Sequence, residues 1–299
     1  MHWSDLEPRF NIKDLSEPLV VYHADCSDGI SAAWCFCYFF GAIPEYFPGV
    51  YNGKMPIVEG RDIFLVDFSW SPEVLMYVCS VAKSVTIIDH HKTAIDSLEN
   101  FESPNLTKFF SNDRSGATLT WLYLTDQSKT SDQTPFFLDM VEDRDLWNFK
   151  YTNTKPLMAS FFSDELTLDR VSEYVAHVEK GGQDYWSKLE IGRALIKAHD
   201  SNIKKIINSN CRTIELFGKL VPLVNCNFMY ASDVGNELGK GELYSITYSD
   251  TESHRVFSLR SRKDESNFDV SEIAKSFGGG GHRNAAGFKV PRDHALAMI

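Results

Sequence analysis

The sequence is short of positive charge and of long apolar runs, and each shortage excludes a class of protein. Among its 299 residues, 30 are Lys or Arg and 41 are Asp or Glu, which gives a net charge of −11. A chain this acidic is poorly suited to binding long duplex nucleic acid, because such binding depends on basic side chains that release counterions from the phosphates. The longest apolar run, residues 32–40, is too short to cross a bilayer.

Paired cysteines are also lacking, since the six cysteines are scattered and form no CxxC pair. This usage is typical of reduced thiols in a cytoplasmic protein. Residues 1–13 are polar and lack the basic and apolar regions of a secretion signal. We therefore expect a cytoplasmic protein that does not bind membranes. The composition, with 43% hydrophobic and 24% charged residues, is that of a globular protein, and the length allows one large domain or two smaller ones.

Three short apolar runs in the first part of the chain predict buried strands. Residues 19–22, 63–66 and 85–88 are rich in β-branched side chains, and helix-like segments at 30–40 and 71–83 separate them. Continuous apolar runs of this length are typical of strands buried in a parallel sheet, and their alternation with helices predicts an α/β layer. The polar residues that follow these strands are expected to meet at the carboxyl edge of the sheet.

The rest of the chain predicts a second, smaller α/β domain. Residues 184–210 have a helical pattern that suits a helix between two domains. Further helices are expected at 115–125, 135–146 and 270–277, a hairpin at 213–224, and strands at 244–248, 255–261 and 286–290. We predict an N-terminal domain over residues 1–185, a connecting helix over 186–212 and a C-terminal domain over 213–299.

The first candidate site is the segment after the first strand, His23-Ala-Asp25-Cys26-Ser27-Asp28-Gly29. It contains an imidazole, two carboxylates and a thiol within six residues, and Gly29 allows a tight turn. Such oxygen and nitrogen donors suit Mn²⁺, Mg²⁺ or Zn²⁺. The alternative is a polar turn in which Ser27 or Asp28 caps the next helix.

Two more candidates follow the second and third strands. Asp67 alone is typical of a cap or turn, so it says little by itself. Asp89-His90-His91 is more informative, because adjacent histidines point in different directions. One of them can bind a metal while the other faces a substrate, and Asp89 can orient an imidazole. A plain surface loop is the alternative.

The last two candidates lie further along the chain. The segment Glu142-Asp143-Arg144-Asp145 is either a solvated turn or a further donor to a shared metal site. Residues 278–281 are four glycines, followed by His282 and Arg283. Because glycines expose backbone N–H groups and allow close approach of an anion, this run is interpreted as a phosphate-binding loop rather than a flexible linker.

In this order the motifs resemble the DHH phosphoesterase superfamily, which includes RecJ-like exonucleases, nanoRNases, cyclic-dinucleotide phosphodiesterases and family II pyrophosphatases. The resemblance covers nearly the whole chain, and its glycine-rich ending argues against the pyrophosphatase branch. It implies a parallel-sheet DHH domain, joined by a long helix to a smaller DHH-associated α/β domain that binds substrate.

The resemblance also implies two Mn²⁺ ions per chain, with Mg²⁺ or Zn²⁺ as alternatives, that share Asp67 as a ligand. His23 would hold one ion, and Asp28 and His90 would hold the other, together with one of two carboxylates that the motif leaves open, Asp143 or Asp145. His91 would face the scissile phosphate. The implied substrate-binding residues are Gly279, Gly280, Gly281, His282, Arg283 and Arg260.

One departure from the family pattern concerns the residue two before Asp28. The family usually has an Asp there, whereas this chain has Cys26, with Asp25 one residue earlier. Either Asp25 reaches the metal through a shifted loop, or Cys26 replaces the carboxylate and favours Zn²⁺ over Mn²⁺. Asp25 is the preferred ligand at this stage.

The predicted function is a metal-dependent phosphoesterase that acts on phosphodiester or phosphomonoester bonds of short oligonucleotides or small nucleotides. Residues 213–299 carry 10 Lys and Arg against 11 Asp and Glu, so the small second domain is nearly neutral and is expected to bind short ligands. One alternative is a nucleotide-binding sensor whose catalysis is weakened by Cys26. Another is a RecJ-type single-strand exonuclease, which generally needs additional binding domains. A homo-oligomer is compatible with the sequence.

Overall fold

The computed structural model describes residues 2–51, 53–127 and 133–299, which form two compact units, residues 1–196 and 197–299. The strands of the first unit are β1 (Leu19–His23), β2 (Glu45–Gly49), β3 (Asp62–Val66), β4 (Ser84–Asp89) and β5 (Leu106–Phe110). Its helices are α1 (Ser27–Phe40), α2 (Pro72–Val81), α3 (Lys92–Leu98), α4 (Gly116–Leu124), α5 (Phe136–Asp145), α6 (Thr154–Phe161) and α7 (Leu168–Lys180), and α8 (Gly182–Asn210) continues into the second unit.

The five strands of the first unit form a parallel sheet in the order β2-β1-β3-β4-β5. Both faces of this sheet are covered: Val20 packs into one apolar cluster with α1 and α4, while Leu19 and Val21 pack into another with α2. This double burial explains why the three predicted strands are almost continuously apolar, with Thr86 as the polar exception. The predictions of β1, β3 and β4, and of an α/β layer, are confirmed.

Two strands of the sheet, β2 and β5, were not predicted from the sequence. Both lie at the edges of the sheet, so each pairs on one side only. The edge position tolerates Pro48, which has no N–H to donate, and the exposed Glu45. Their composition is therefore too mixed to show the continuous apolar pattern of the central strands.

The second unit contains β6 (Arg212–Leu216), β7 (Lys219–Asn225), α9 (Ala231–Leu238), β8 (Ser245–Asp250), β9 (His254–Arg260), α10 (Val270–Ser276), β10 (Gly280–His282) and β11 (Ala285–Pro291). Its mixed sheet has the order β10-β11-β9-β8-β7-β6, with only β7 and β8 parallel among these pairs. Its core includes Tyr244, Phe257 and Phe288, against which α10 packs. The unit boundary falls inside the predicted connecting segment 186–212; the domain limits at 185 and 213 stay predictions. In the described ranges, no helix is both long and apolar enough to span a bilayer.

Candidate metal centre

The ends of β1, β3 and β4 bring the candidate metal ligands together, because these strands are neighbours in the parallel sheet. His23 is the last residue of β1, and Asp67 follows β3 directly. Asp89 is the last residue of β4, and His90 and His91 follow it. The expected meeting of polar residues at the carboxyl edge of the sheet is therefore observed.

Asp67 belongs to three groups of candidate ligand atoms at this edge. They are His23, Cys26 and Asp67; Asp28, Asp67 and His90; and Asp67, Asp89 and His91; within each group the ligand atoms lie within 4.8 Å of one another. The first group approaches Oδ2 of Asp67 and the second approaches Oδ1. Nε2 of His90 is 3.1 Å from Oδ1 of Asp67 and 3.4 Å from Oδ2 of Asp28. Nδ1 of His23 is 3.6 Å from Oδ2 of Asp67. Asp67 thus lies at the junction of two sets of donors.

The two sets of donors differ in exposure. The side chain of His23 is 28% exposed, whereas those of His90 and Asp28 are 1% and 0% exposed. Cys26, in the first set, is half-buried. The His23 side of Asp67 is thus partly open to solvent. On the other side His90 and Asp28 are buried, and the neighbouring Asp145 side chain is 23% exposed.

The amino end of α4 holds Asp28 in place. The Gly116 N–H donates to Oδ2 of Asp28 (2.6 Å), and the Ala117 N–H donates to Oδ1 (2.9 Å). These are N–H groups that a helix cannot pair internally at its start, and the helix dipole favours a carboxylate there. Asp28 is therefore anchored by the backbone of a distant segment, at the beginning of its own helix α1.

Gly116 is a site residue that the sequence analysis missed. A Cβ atom added at Gly116 would lie 2.5 Å from Cβ of Asp67 and 2.9 Å from its Oδ1. Only glycine allows α4 to begin this close to the shared ligand. The signal in the sequence is weak: Ser115 caps α4 through its side chain, and a glycine beside a cap residue is common for other reasons.

Asp89 forms a group with Asp67 and His91, in which it orients the His91 ring. Nδ1 of His91 is 2.7 Å from Oδ1 of Asp89, and the Ser69 hydroxyl donates to Oδ2 (2.6 Å). Burial opposes protonation of His91, but the charge of Asp89 and this hydrogen bond raise its pKa above the ordinary value. Asp89 is therefore a positioning carboxylate for the neighbouring imidazole.

The buried carboxylates create an excess of negative charge. Burial raises the pKa of Asp28 well above its ordinary value, and the nearby Asp67 and Asp145 carboxylates raise it further. Burial raises the pKa of Asp145 as well. Burial also opposes ionisation of Asp67, but the rings of His23 and His90 lower its pKa below the ordinary value. This charge pattern is one that divalent cations would neutralise.

The donor set also fits divalent cations by its unsatisfied atoms. Among the described residues, Oδ2 of Asp67 and Oδ2 of Asp145 are buried and have no hydrogen-bond partner. Buried polar atoms are nearly always hydrogen-bonded, so two such oxygens in one cluster require an explanation. Coordination of a cation supplies one, because carboxylate and imidazole are usual ligands of Mn²⁺, Mg²⁺ and Zn²⁺.

The structure places Cys26, and not Asp25, in the group of donors with His23 and Asp67. Asp25 is exposed and has a left-handed backbone conformation with φ = 54°. Cys26 belongs to the group with His23 and Asp67, and none of the candidate groups in the described chain includes Asp25. The left-handed turn at Asp25 directs the chain so that the following residue, Cys26, reaches the cluster at the start of α1.

Of the two open carboxylates near the end of α5, Asp145 is the one at the cluster. Its Oδ2 lies 3.6 Å from Nε2 of His90. Asp143 is buried elsewhere: its carboxylate accepts from the Lys150 N–H (2.7 Å), the Tyr151 N–H (3.2 Å) and the Thr154 hydroxyl (2.6 Å). Asp143 therefore stabilises the turn after α5.

In the second unit, the last two of the four glycines, Gly280 and Gly281, lie in a strand. Gly280–His282 is the short strand β10, which pairs antiparallel with β11. A Cβ atom at Gly279 would lie 2.1 Å from the Gly287 carbonyl oxygen, and one at Gly281 would lie 2.5 Å from that of Ala285. The close approach that requires glycine is thus made by the protein's own backbone within this hairpin.

The predicted cationic substrate residues make contacts inside the second unit. The Arg260 guanidinium donates to the Ser232 hydroxyl and to the Leu259 carbonyl oxygen, each at 2.8 Å. The Arg283 side chain, 51% exposed, lies 3.3 Å from the Asp269 carboxylate and donates to the Asn267 carbonyl oxygen (3.0 Å). His282 ends β10 and pairs with Ala285. The structure thus places these residues within one unit.

A second residue that the sequence analysis missed is Tyr51, which follows β2. Its side chain is 45% exposed, and its ring centroid is 5.4 Å from that of His23 in an edge-on contact. On the other side it packs against Phe68 at 5.0 Å. An aromatic surface therefore adjoins the open side of the cluster.

Comparison with known proteins gives relatives and a fold. The chain is 29% identical over 298 residues to the uncharacterized protein R106 of Acanthamoeba polyphaga mimivirus, which covers 90% of this chain and 66% of the relative. It is 30% identical over 230 residues to the oligoribonuclease NrnB of Bacillus subtilis, which covers 69% of this chain and 53% of the relative. This chain thus spans less than two thirds of either relative. No protein-family model matches it.

Among solved structures, the DHH domain of a member of the s1p family of ribosomal proteins has a similar fold. It has a TM-score of 0.54 at 11% sequence identity and covers 92% of this chain and 82% of that one. The α/β fold class predicted from the sequence is confirmed, and so is the resemblance to the DHH phosphoesterase superfamily that the ordered motifs indicated.

Proposed function

The chain has the fold and the ordered motifs of the DHH phosphoesterase superfamily, and from this premise we propose that it is a divalent-metal-dependent hydrolase of short oligonucleotides or small nucleotides. The observation that carries the proposal is the pair of donor groups that share Asp67 at the ends of three neighbouring strands. Two cation positions with one common carboxylate are the arrangement that two-metal phosphoryl hydrolysis requires.

We assign His23, Cys26 and Asp67 to one cation and Asp28, Asp67 and His90 to the other, with Asp145 as a further ligand beside His90. We propose Mn²⁺ for the second position, with Mg²⁺ as the alternative. When bound, two such cations activate a water molecule for attack on phosphorus and neutralise charge on the phosphoryl oxygens. The remaining steps belong to the protein's own side chains.

His91 is proposed as the proton donor to the leaving oxygen and as a contact to the phosphate. Its Nδ1 is held by Asp89, so proton transfer falls to Nε2. Burial opposes protonation of His91, but the charge of Asp89 and their hydrogen bond raise its pKa and so shift the ring towards the protonated form, which suits both roles. Asp89 contributes by keeping the ring in one orientation, as carboxylates do for catalytic histidines.

Tyr51 supports a nucleotide as the substrate. An exposed aromatic ring beside His23 offers a surface on which a nucleobase stacks while its phosphate reaches the cluster. Base stacking on an aromatic side chain contributes about 1–3 kcal/mol per base and does not depend on sequence. A substrate of bare phosphates would gain nothing from this ring.

The second unit is proposed to bind the substrate's other phosphate. The residues carried over from the resemblance, Arg260, His282 and Arg283, lie in this unit together with Gly279, Gly280 and Gly281. Because β10 is a short strand rather than an open loop, we assign the contact to side chains at its end and not to a ring of backbone N–H groups. The relative named an oligoribonuclease supports a short oligonucleotide as the ligand. The cysteines in the described ranges are free thiols, which fits the proposed cytoplasmic location.

The test is a hydrolysis panel in Mn²⁺. It contains RNA and DNA of two to five nucleotides, 3′-phosphoadenosine 5′-phosphate, a cyclic dinucleotide, a long single strand and a long duplex. We expect turnover of at least one short substrate and none of the duplex. Asp67→Asn is expected to abolish turnover, and Asp200→Asn, at an exposed position of α8, to leave it unchanged.

Silence towards every substrate, with nucleotide binding retained, would contradict the proposal and favour the weakened nucleotide sensor. Turnover of the long single strand alone would favour a RecJ-type exonuclease instead. Turnover that persists in Asp67→Asn would show that the hydrolysis does not come from this cluster.

A further inference from the structure

Cys26 is an unusual donor in the cluster, because it is a thiol among carboxylates and imidazoles. Its Sγ lies within 4.8 Å of the ligand atoms of His23 and Asp67. The residue is the N-cap of α1, yet its side chain makes no capping hydrogen bond. The backbone turn at the start of α1 therefore places the sulfur beside His23 and Asp67.

A second observation points to a ligand at the same place. Oδ2 of Asp67 is buried and has no hydrogen-bond partner among the described residues, and it is the oxygen that lies 3.6 Å from His23. The side of Asp67 that faces His23 and Cys26 thus presents an oxygen, a nitrogen and a sulfur. This trio is a mixed hard and soft donor set.

On the other side of Asp67, none of the described donors is a sulfur. The donors on this side are the imidazole of His90 and the carboxylates of Asp28 and Asp145. An oxygen of each carboxylate lies close to Nε2 of His90, at 3.4 Å for Asp28 and 3.6 Å for Asp145. Cys35 packs nearby along α1, but its Sγ contacts the carbonyl oxygens of Ser31 (3.3 Å) and Ala117 (3.6 Å). The two positions therefore differ in donor chemistry.

We propose that the two cation positions prefer different ions. The position of His23, Cys26 and Asp67 takes a thiophilic divalent ion of the Zn²⁺, Co²⁺ or Fe²⁺ class, and the position of Asp28, Asp67, His90 and Asp145 takes Mn²⁺ or Mg²⁺. The inference rests on the proposed function, since it assumes two cations at this cluster. Thiolates select softer ions and carboxylates harder ones, whereas overall affinity alone does not discriminate between similar sites.

Binding at the first position has a proton balance. Cys26 binds a metal as the thiolate, so its thiol proton passes to solvent as the sulfur–metal bond forms. The metal and the proton therefore compete for the same sulfur. No oxidant or reductant is needed.

The experiment is the absorption spectrum of the protein loaded with Co²⁺ after removal of other metals. A thiolate ligand to Co²⁺ gives an intense charge-transfer band in the near ultraviolet, which carboxylate and imidazole ligands do not give. We expect the band in the wild type and in the control Cys211→Ser, whose thiol is exposed and distant in sequence. We expect Cys26→Ser and Cys26→Asp to lose it.

A competition measurement gives the second readout. With Zn²⁺ and Mn²⁺ both supplied, elemental analysis of the wild type should find one ion of each kind per chain. In Cys26→Asp the preference for Zn²⁺ over Mn²⁺ should fall by about tenfold or more, as is typical when a ligand environment is changed. The Asp variant restores the carboxylate of the family pattern, so it is expected to fold and to keep two ions.

The outcomes separate this inference from the proposed function. Two bound Co²⁺ ions without the charge-transfer band, or a band that survives in Cys26→Ser, would overturn the inference and leave the two-metal hydrolase intact. A wild type that binds no Co²⁺ at all would overturn both.

Discussion

The two sides of Asp67 are built from the same kinds of strand ends but differ in exposure and chemistry. On the His23 side the donors include a thiol, the imidazole is 28% exposed, and the aromatic ring of Tyr51 lies alongside. On the His90 side the donors are carboxylates and an imidazole that is 1% exposed. We infer that substrate approaches from the His23 side and that the His90 side holds its ion more permanently.

The two sides also differ in how the protein stabilises buried charge. On the His90 side, backbone N–H groups at the start of α4 hold the Asp28 carboxylate with two hydrogen bonds. On the His23 side, the Cys26 side chain makes no helix-capping hydrogen bond. A buried carboxylate needs such partners, whereas a half-buried thiol does not.

The largest effect is expected from the two acidic residues near the end of α5. Asp145→Asn removes a proposed ligand on the His90 side and should lower kcat by about 10³-fold, the equivalent of several kcal/mol of transition-state stabilisation. Its metal-free stability should be unchanged or higher, because like charges near Asp67 are reduced. Steady-state kinetics and thermal unfolding in EDTA measure both quantities.

Asp143→Asn is the matched variant with the opposite pattern. It weakens three hydrogen bonds in the turn after α5 and should cost about 1–3 kcal/mol of unfolding free energy. The folded fraction should keep kcat within a few-fold of the wild type. Equal losses of kcat in the two variants would contradict the assignment of Asp145 to the cluster.

The next effect concerns the ligand that both sides share. Gly116→Ala places a Cβ atom 2.5 Å from Cβ of Asp67, so the carboxylate must move. We expect kcat to fall by about 10²-fold, as for misplacement of a reacting group by about 1 Å. Ser115→Ala is the control, since it removes the α4 cap and costs about 1 kcal/mol of stability without touching Asp67. Normal kcat in Gly116→Ala would show that the close approach is unimportant.

A smaller effect tests the open side alone. Tyr51→Ala should raise KM for a dinucleotide by about tenfold, which corresponds to the lower part of the range for base stacking. Tyr51→Phe keeps the ring and should have nearly the wild-type KM. Hydrolysis of a phosphate ester that carries no aromatic group provides the comparison for each variant. If the Phe variant is as impaired as the Ala variant, the hydroxyl rather than the ring is responsible.

The smallest effect concerns Asp139, a partly buried carboxyl group in α5 that lies outside the candidate metal groups. Burial raises the pKa of Asp139 to about 6, although the Thr134 hydroxyl, which donates to it at 2.6 Å, opposes the shift. An unfolded Asp has a pKa of about 3.9, so the folded state holds this proton more tightly and loses stability as the pH rises from about 4 to about 6.

Asp139→Asn removes this loss and keeps an oxygen that accepts from Thr134. We expect the variant to be more stable than the wild type by about 1–2 kcal/mol above pH 6, after allowance for partial exposure, and to gain little near pH 4. Thermal unfolding of metal-free protein across this range measures the difference. A gain that is the same at every pH would indicate a cause other than ionisation of Asp139.

Much of the fold follows from local patterns that the sequence displays. The apolar runs at β1, β3 and β4 are continuous because both faces of the sheet are covered, and the polar residues after them therefore meet at one edge. The edge strands β2 and β5 lack the continuous apolar pattern, because they are less buried and tolerate polar residues. The joining of His23, Asp67 and His90 depends only on strand order, so it was predictable.

The finer choices at the site depend on backbone direction, which a motif does not reveal. Cys26 rather than Asp25 reaches the cluster because Asp25 occupies a left-handed turn. Asp143 and Asp145 are two residues apart at the end of a helix, so they point to different sides, and only packing decides which side meets His90. Gly116 and Tyr51 come from segments with no chemical signature at all. Gly280 and Gly281 form a strand because β11 lies alongside and pairs with them.

The most direct test of the account is the number of divalent ions that each chain binds when Mn²⁺ and Zn²⁺ are both supplied. Elemental analysis after equilibrium dialysis measures it in the wild type and in Asp67→Asn. Because both donor groups include Asp67, the account predicts two ions per chain in the wild type and at most one in the variant. A wild type that holds fewer than two ions, or a variant that still holds two, would contradict the claim that Asp67 joins two metal positions.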